Sequence, residues 1–335
     1  MALRLRGAFS PNPRVAPLVD GTVRAAGIDL EWDQGAPGDL HERHLRDGAH
    51  DVFEFSISNY LVTRERARPR WDWMMIPVFA SKATLGLRTL VNADAGIGSG
   101  ADLAGRRFGI PDYTMTAGLW FRAQLRTLWG ITPQDIEWHV ARQGDQSHGR
   151  QLGFDTDPPR GVTLRWAGVT EVGRMLQAGE LDAAFPSADV PIDASTGRVR
   201  PLFPDGGRQF FADFRARTGF LPVNHVVLVR RRIVEEHPWV PEALFAAFEA
   251  AKAVAYRRDP ATAHVFPGEG PGKGPGEGPG EGPGEGPGEG PEEFPYGLAA
   301  NRAMLEMAAR QSNLDGLTVK RWDLTESVPE TLRES

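Results

Sequence analysis

The sequence predicts an α/β protein of two lobes with a cleft between them, and three observations carry the prediction. Short apolar runs alternate with helical patterns, the arrangement of strands separated by helices. The run 226–229 is β-branched and apolar throughout, as in a parallel-sheet strand buried on both faces. The character of the chain changes twice, at the Gly/Ala/Asp-rich stretch 94–104 and again around 198–204. It leaves one lobe at the first change and returns at the second. The expected division is 1–94 with 199–335 for lobe one and 95–198 for lobe two. With 335 residues the chain is long enough for both.

Taken in order, residues 3–6 alternate like a first strand, with no apolar stretch of signal-peptide type around them. Further strands are expected at 28–32, 52–55, 89–91, 108–110, 137–140, 163–166, 183–185 and 225–229. Helices are expected at 40–46, 58–66, 116–129, 171–178 and 205–217. Trp71 and Trp73 alternate as on a half-buried strand and need no cofactor to explain them. Pro222 cannot join a central ladder, so it marks the entry to the strand that His225 begins. Arg230, Arg231 and Arg232 close that strand, and a helix follows through Glu235, Glu236 and His237. Pro238 opens another over 239–257, with apolar positions at Val240, Leu244, Phe245, Phe248, Ala251 and Val254. A last helix is expected at 297–311.

Composition excludes several classes. Apolar content of 41% and charged content of 24% are those of a soluble globular protein, and no apolar run approaches the 18 residues of a membrane span. Without cysteine there is no disulfide, no thiolate nucleophile and no cysteine-based metal site. A cytoplasmic location is expected from the missing export signal. The net charge of −6 includes five glutamates and one lysine in a single tract; without them about −2 remains, which argues against nucleic-acid binding. Nothing excludes a homo-oligomer. The tract itself, 268–291, is six Gly-Glu-Gly-Pro tetrads with Lys273 in place of one glutamate. Proline every fourth residue blocks helix and glycine at alternate positions leaves no side chain for a core, so a solvated, disordered loop is expected.

A set of segments in order along nearly the whole chain resembles the 4,5-dihydroxyphthalate decarboxylase family. They include Asp20-Gly-Thr-Val23, Gly27-Ile-Asp-Leu30, Glu54-Phe-Ser-Ile-Ser-Asn-Tyr-Leu61, Pro77-Val-Phe79 and Ile110-Pro-Asp-Tyr-Thr-Met-Thr-Ala117. Met175-Leu-Gln-Ala-Gly-Glu-Leu-Asp-Ala183, Leu202-Phe-Pro-Asp205, Arg217-Thr-Gly219, His237-Pro-Trp-Val240 and Phe294-Pro-Tyr-Gly297 continue it. The resemblance implies a type II periplasmic-binding-protein-like fold, reused by a cytoplasmic enzyme that holds a small carboxylate in its cleft. No cofactor is expected, and no metal ligand is assigned. One departure stands out. Where the family carries Ser-Arg-x-x-Arg-His, this chain reads Ser81-Lys82-Ala83-Thr84-Leu85-Gly86. Lys82 keeps the first basic position, whereas the second Arg and the His are lost. If those two bind or protonate a phthalate, this chain handles a different carboxylate or runs a different reaction.

Decarboxylation without an organic cofactor needs a poorly solvated carboxylate, an electron sink and an acid that delivers a proton to carbon. His225, at a position that the resembling family also fills with histidine, is the expected acid, with Lys82 as the second catalytic candidate. Arg14, matching a family arginine, fits a carboxylate fork. Glu54, Ser56 and Ser58, with Tyr60, follow one strand, and Tyr113, Thr114 and Thr116 follow another. These two strand-to-helix turns come from different lobes and are expected to face each other as substrate-binding edges. Ser187 is a further candidate on the same edge. Gly96-Ile-Gly-Ser-Gly100 lacks the strand–turn–helix setting of a dinucleotide site, and no Walker loop follows Gly118. His41 and His44 share one helix face, read as solvated because no third metal ligand is evident. The rival to an enzyme is a solute-binding or sensory protein that closes on a carboxylate without chemistry; a lyase or hydrolase of other chemistry is the third reading.

Overall fold

A computed structural model describes residues 2–66, 72–266 and 292–335. The expectations for Trp71 and for the tract 268–291 lie outside the described residues. Strands β1 (Leu3–Phe9), β2 (Ile28–Gln34), β3 (Val52–Ser56) and β4 (Trp73–Ile76) open the first sheet. Strands β5 (Leu90–Asn92), β6 (Arg107–Ile110), β7 (Glu137–Val140), β8 (Thr163–Trp166), β9 (Ala183–Ala184) and β10 (Val199–Pro201) build the second, and β11 (His225–Arg230) returns to the first. The helices are α1 (Ala16–Val19), α2 (Pro37–Asp47), α3 (Ile57–Arg66), α4 (Thr116–Trp129) and α5 (His148–Gln151) in the first half. Then come α6 (Glu171–Ala178), α7 (Arg208–Thr218), α8 (Arg231–Glu236), α9 (Val240–Arg258) and α10 (Leu298–Leu314).

The first sheet runs β2-β1-β3-β11-β4 and the second β10-β5-β9-β6-β7-β8. The expected boundaries, 94/95 and 198/199, fall just after β5 and just before β10, two strands of the second sheet that pair with each other antiparallel. Every expected strand forms. Two differences have physical reasons. Strand β11 is buried on both faces as expected, yet it lies antiparallel to both neighbours, β3 and β4. An apolar run reports coverage of two faces and is silent on strand direction. Strand β4 is buried at all four positions, not half-buried, because it packs within the aromatic core that includes Phe53.

Helix α2 brings a further correction. His41 and His44 are 4% and 0% exposed, on a buried stripe with Leu40 and Leu45. The helix turns this stripe, not a solvated one, toward His148 of α5 and the aromatic rings of β3. Burial holds the His44 ring down at about 2 and His41 well below the ordinary imidazole range. Among the described residues no helix is long and apolar enough to cross a membrane.

Candidate active site

Strand β11 pairs with β3 so that His225 stands opposite Ser56 and Val227 opposite Glu54. This register brings the imidazole of His225 and the carboxylate of Glu54 together on one face. Nδ1 of His225 meets Glu54 Oε1 in a close contact. The other carboxylate oxygen accepts from the Ser10 amide at 2.9 Å and the Ser10 hydroxyl at 2.5 Å. Glu54 is 2% exposed and His225 9%. Burial alone would raise the Glu54 carboxyl, but the His225 imidazole and the Ser10 donors outweigh it and hold the group below the usual carboxylate range. An ionised Glu54 therefore orients the ring through Nδ1 and leaves Nε2 free of any hydrogen bond to a described residue.

The two strand-to-helix turns meet directly. Ser56 Oγ and Thr116 Oγ1 are 2.7 Å apart, the Ser58 amide donates to Thr116 Oγ1 at 3.3 Å, and the Asn59 amide donates to Ser56 Oγ at 3.2 Å. Both hydroxyls cap the first turn of α3, and Thr116, at the start of α4, does so from across the two sheets. Beside them Asn59 Nδ2 lies 2.8 Å from Nδ1 of His148. The Ser58 hydroxyl is buried and has no hydrogen-bond partner among the described residues.

Other sequence candidates lie elsewhere. Tyr113 is fully buried, its ring under the Arg122 guanidinium at 4.1 Å and edge-on to Trp138 at 5.7 Å; burial raises its hydroxyl further out of the titrating range. Thr114 closes a turn onto Asp112, to which its amide and hydroxyl donate at 2.9 and 2.8 Å. Ser187 donates to Asp189 at 2.7 Å, and Asp189 pairs with Arg142.

Arg14 and Lys82 share a separate pocket of about 360 Å³, lined also by Ser81, Thr84, His264 and Phe294. The Arg14 guanidinium donates to the carbonyls of Ala80 and Thr262 at 2.8 and 2.5 Å and stacks 3.7 Å above the Phe294 ring. Neither cation has a carboxylate within salt-bridge distance among the described residues. Lys82 Nζ donates to the Leu221 carbonyl at 3.4 Å and lies 5.5 Å from the centre of the Phe294 ring. Burial brings its ammonium down to about 7, with Glu293 pulling it up and Arg14 pushing it down. Lys82 bridges Val223, two residues before His225, so this pocket and the imidazole are separated by about 7 Å of extended chain.

The lost family positions have a structural counterpart. Leu85 and Gly86 open a 3₁₀ turn, Leu85–Arg88. A Cβ on Gly86 would stand 2.9 Å from Phe121 Cδ2, so a side chain there requires the Phe121 ring on α4 to shift. Sequence reasoning missed Ser10, His41 and His148. The signal for His41 was present, since it shares its helical stripe with Leu40 and Leu45; Ser10 had none beyond standing after the first strand. Among the described residues no group of three or more His, Cys, Asp or Glu is placed to hold a metal ion.

No family model matches the chain. The 4,5-dihydroxyphthalate decarboxylase of Comamonas testosteroni is 35% identical over 259 residues, spanning 76% of this chain and 77% of the relative. The enzyme of the same name from Pseudomonas putida is 35% identical over 205 residues, 61% of this chain and 78% of its own. Among solved structures, the desulfurization enzyme DSZB superposes with a TM-score of 0.54 at 18% identity, over 99% of this chain and 98% of its own. The periplasmic sulfonate-binding protein SsuA from Methylobacillus flagellatus KT gives 0.53 at 14% identity, over 98% and 91%. These two likenesses establish the two-lobed periplasmic-binding-protein-like fold.

Proposed function

The chain belongs to the 4,5-dihydroxyphthalate decarboxylase family and is a decarboxylase, and from that premise we propose that it removes carbon dioxide from a small aromatic or cyclic carboxylate without an organic cofactor, using His225 as the acid. The observation that carries this reading is the buried chain Ser10–Glu54–His225. A carboxylate fixed on Nδ1 holds the ring in one orientation and supports an imidazolium, and Nε2 is left to protonate carbon.

Arg14 and Lys82 hold a retained acidic group of the substrate. A departing carboxylate clamped by a guanidinium would be stabilised before reaction and would leave more slowly, so the cations serve better as anchors for a second group. Their pocket lies at the low end of the volume range for small-ligand sites. Lys82, near half-protonated at neutral pH, is the second proton source in the site. Ser56, Ser58 and Thr116 form the wall that joins the lobes beside His225. The lobes are taken as 1–94 with 199–335 and as 95–198, with β5 and β10 as the crossing pair.

The substrate differs from 4,5-dihydroxyphthalate where the family's second Arg and His would reach, because Phe121 fills the space against Gly86. Incubation with 4,5-dihydroxyphthalate, phthalate and a series of hydroxybenzoates, with CO₂ release followed, tests the reading. Release from at least one acid, fastest from one other than 4,5-dihydroxyphthalate, is expected. Saturable binding of these acids with no release from any would overturn it.

A further inference from the structure

His225 is not the only imidazole at this place in the fold. His41, on α2, stands edge-on to it with ring centroids 4.9 Å apart. His41 is 4% exposed, and neither of its ring nitrogens hydrogen-bonds to a described residue. The next imidazole, His148, has its ring centroid 6.1 Å from that of His41 and is already engaged, by Asn59 on Nδ1 and by the Gly38 carbonyl. His41 is thus the buried imidazole of the three whose nitrogens have no protein partner among the described residues.

The two facing rings sit in opposite environments. His225 touches the ionised Glu54 carboxylate through Nδ1. His41 has no carboxylate in contact among the described residues. Burial first, then the neighbouring His225, His148, His44 and Arg142, keeps it well below the ordinary imidazole range and therefore neutral. A ring held by a carboxylate, facing a buried neutral ring, is the arrangement of an acid and a base working on one molecule.

We propose that His41 is a second catalytic residue and that the substrate carries a ring hydroxyl, whose proton His41 accepts while His225 protonates the carbon bearing the departing carboxylate. This deepens the decarboxylase reading above and rests on it. The bookkeeping of atoms and electrons closes. The O–H bond breaks toward a His41 nitrogen, and the oxygen electrons move through the ring to the carboxylate-bearing carbon. That carbon forms a C–H bond with the proton from His225 Nε2, giving a cyclohexadienone that still carries its carboxylate. The C–C bond then breaks, CO₂ departs, and the bond's electron pair restores the aromatic ring and flows back to the oxygen. The oxygen recovers its proton from His41. Per turnover one proton is taken from solvent, through His225, and none through His41. A weak base is sufficient, because the hydroxyl proton moves only as the ring takes up the other.

The test compares wild type with His41→Gln, His41→Asn and His225→Gln, using whichever hydroxylated acid of the series releases CO₂ fastest and the methyl ether of that same acid. Each variant is checked for wild-type circular dichroism and cooperative unfolding. The hydroxyl-to-ether comparison is made within each protein, so general damage to the fold lowers both rates and cancels. His41→Gln is expected to lose about a hundredfold or more in kcat on the hydroxylated acid with KM nearly unchanged, and to lose little further on the ether. Equal proportional losses on both substrates, or kcat on the hydroxylated acid within threefold of wild type, would overturn the role of His41. If His225→Gln still loses its activity in that case, the decarboxylase reading with His225 as acid stands alone. Full activity in His225→Gln would overturn both, as would CO₂ release from non-hydroxylated acids only.

Discussion

Glu54 shows most directly how a single side chain makes the site work. It is a charged group at the centre of a sheet, tolerated because Ser10 and His225 satisfy both oxygens. Glu54→Gln keeps the shape and removes the charge that faces His225 Nδ1. It is expected to lower kcat about a hundred- to ten-thousandfold with a small change in KM, measured by steady-state CO₂ release. The folded carboxyl is held below its ordinary range, so its contribution to stability is present above that range and is lost as the pH falls through the lowered value. Acid titration of unfolding should therefore be steeper for wild type than for Glu54→Gln. Lys82 provides a separate pH test. Its ammonium is charged below about 7 and neutral above, beside Arg14, Glu293, Arg215 and Glu292. Affinity for phthalate, measured by calorimetry, should fall as the pH rises through about 7. Lys82→Met should bind about ten- to a hundredfold more weakly below that pH and show a flatter profile; an unchanged profile would remove Lys82 from the anion site. At this scale the strands that carry Glu54 and His225 were legible in the sequence. The partnership of Ser10 with Glu54 was not, because it joins residues 44 apart through a sheet register that local pattern does not encode.

Among the elements, the strands and most helices were legible because their apolar runs are bounded by glycine, proline and charge. Strand β10 was read only as a change of character. It is three residues long, at the edge of its sheet, and ends in Pro201, which is admissible there and nowhere more central. Helix α4 does more than its amphipathic pattern suggests. Trp120 Nε1 donates to the Val223 carbonyl at 2.7 Å, and Arg122 pairs with Asp315 beyond the end of α10 at 2.6 Å, both groups almost fully buried. Removing one partner leaves a buried charge without adequate compensation, although Arg126 lies 3.8 Å from the same carboxylate. Arg122→Met is expected to cost about 3–5 kcal/mol in urea unfolding, and Arg122→Met with Asp315→Leu to recover much of it. The tract 268–291 should behave in the opposite way. Its flanks are already tied, since the Val265 amide donates to Glu293 at 2.6 Å. Replacing the tract by a short Gly/Ser link should leave the unfolding midpoint and kcat unchanged within error; loss of cooperative unfolding would show that it contributes to the fold.

In the whole molecule, two sheets meet through side chains that also frame the site: Ser56 with Thr116, Asn59 with His148, Trp120 with the Val223 carbonyl. The fold and the family were legible because the matching segments run along nearly the entire chain in order. The division of labour within the site was less so. His41 appeared to belong to a surface, and Arg14 and Lys82 were not seen to form a pocket apart from His225, since both facts depend on how helices and loops close over the sheets. The central claim is that His225 delivers the proton that replaces the carboxylate. The most direct measurement is a single turnover of the preferred acid in deuterium oxide, with CO₂ release and deuterium at the vacated ring carbon followed in wild type and His225→Gln. The account predicts that wild type releases one CO₂ per site with one deuterium at that carbon, and that His225→Gln binds the acid but releases CO₂ at least a hundredfold more slowly. Release by His225→Gln at the wild-type rate, with the same deuterium incorporation, would contradict it.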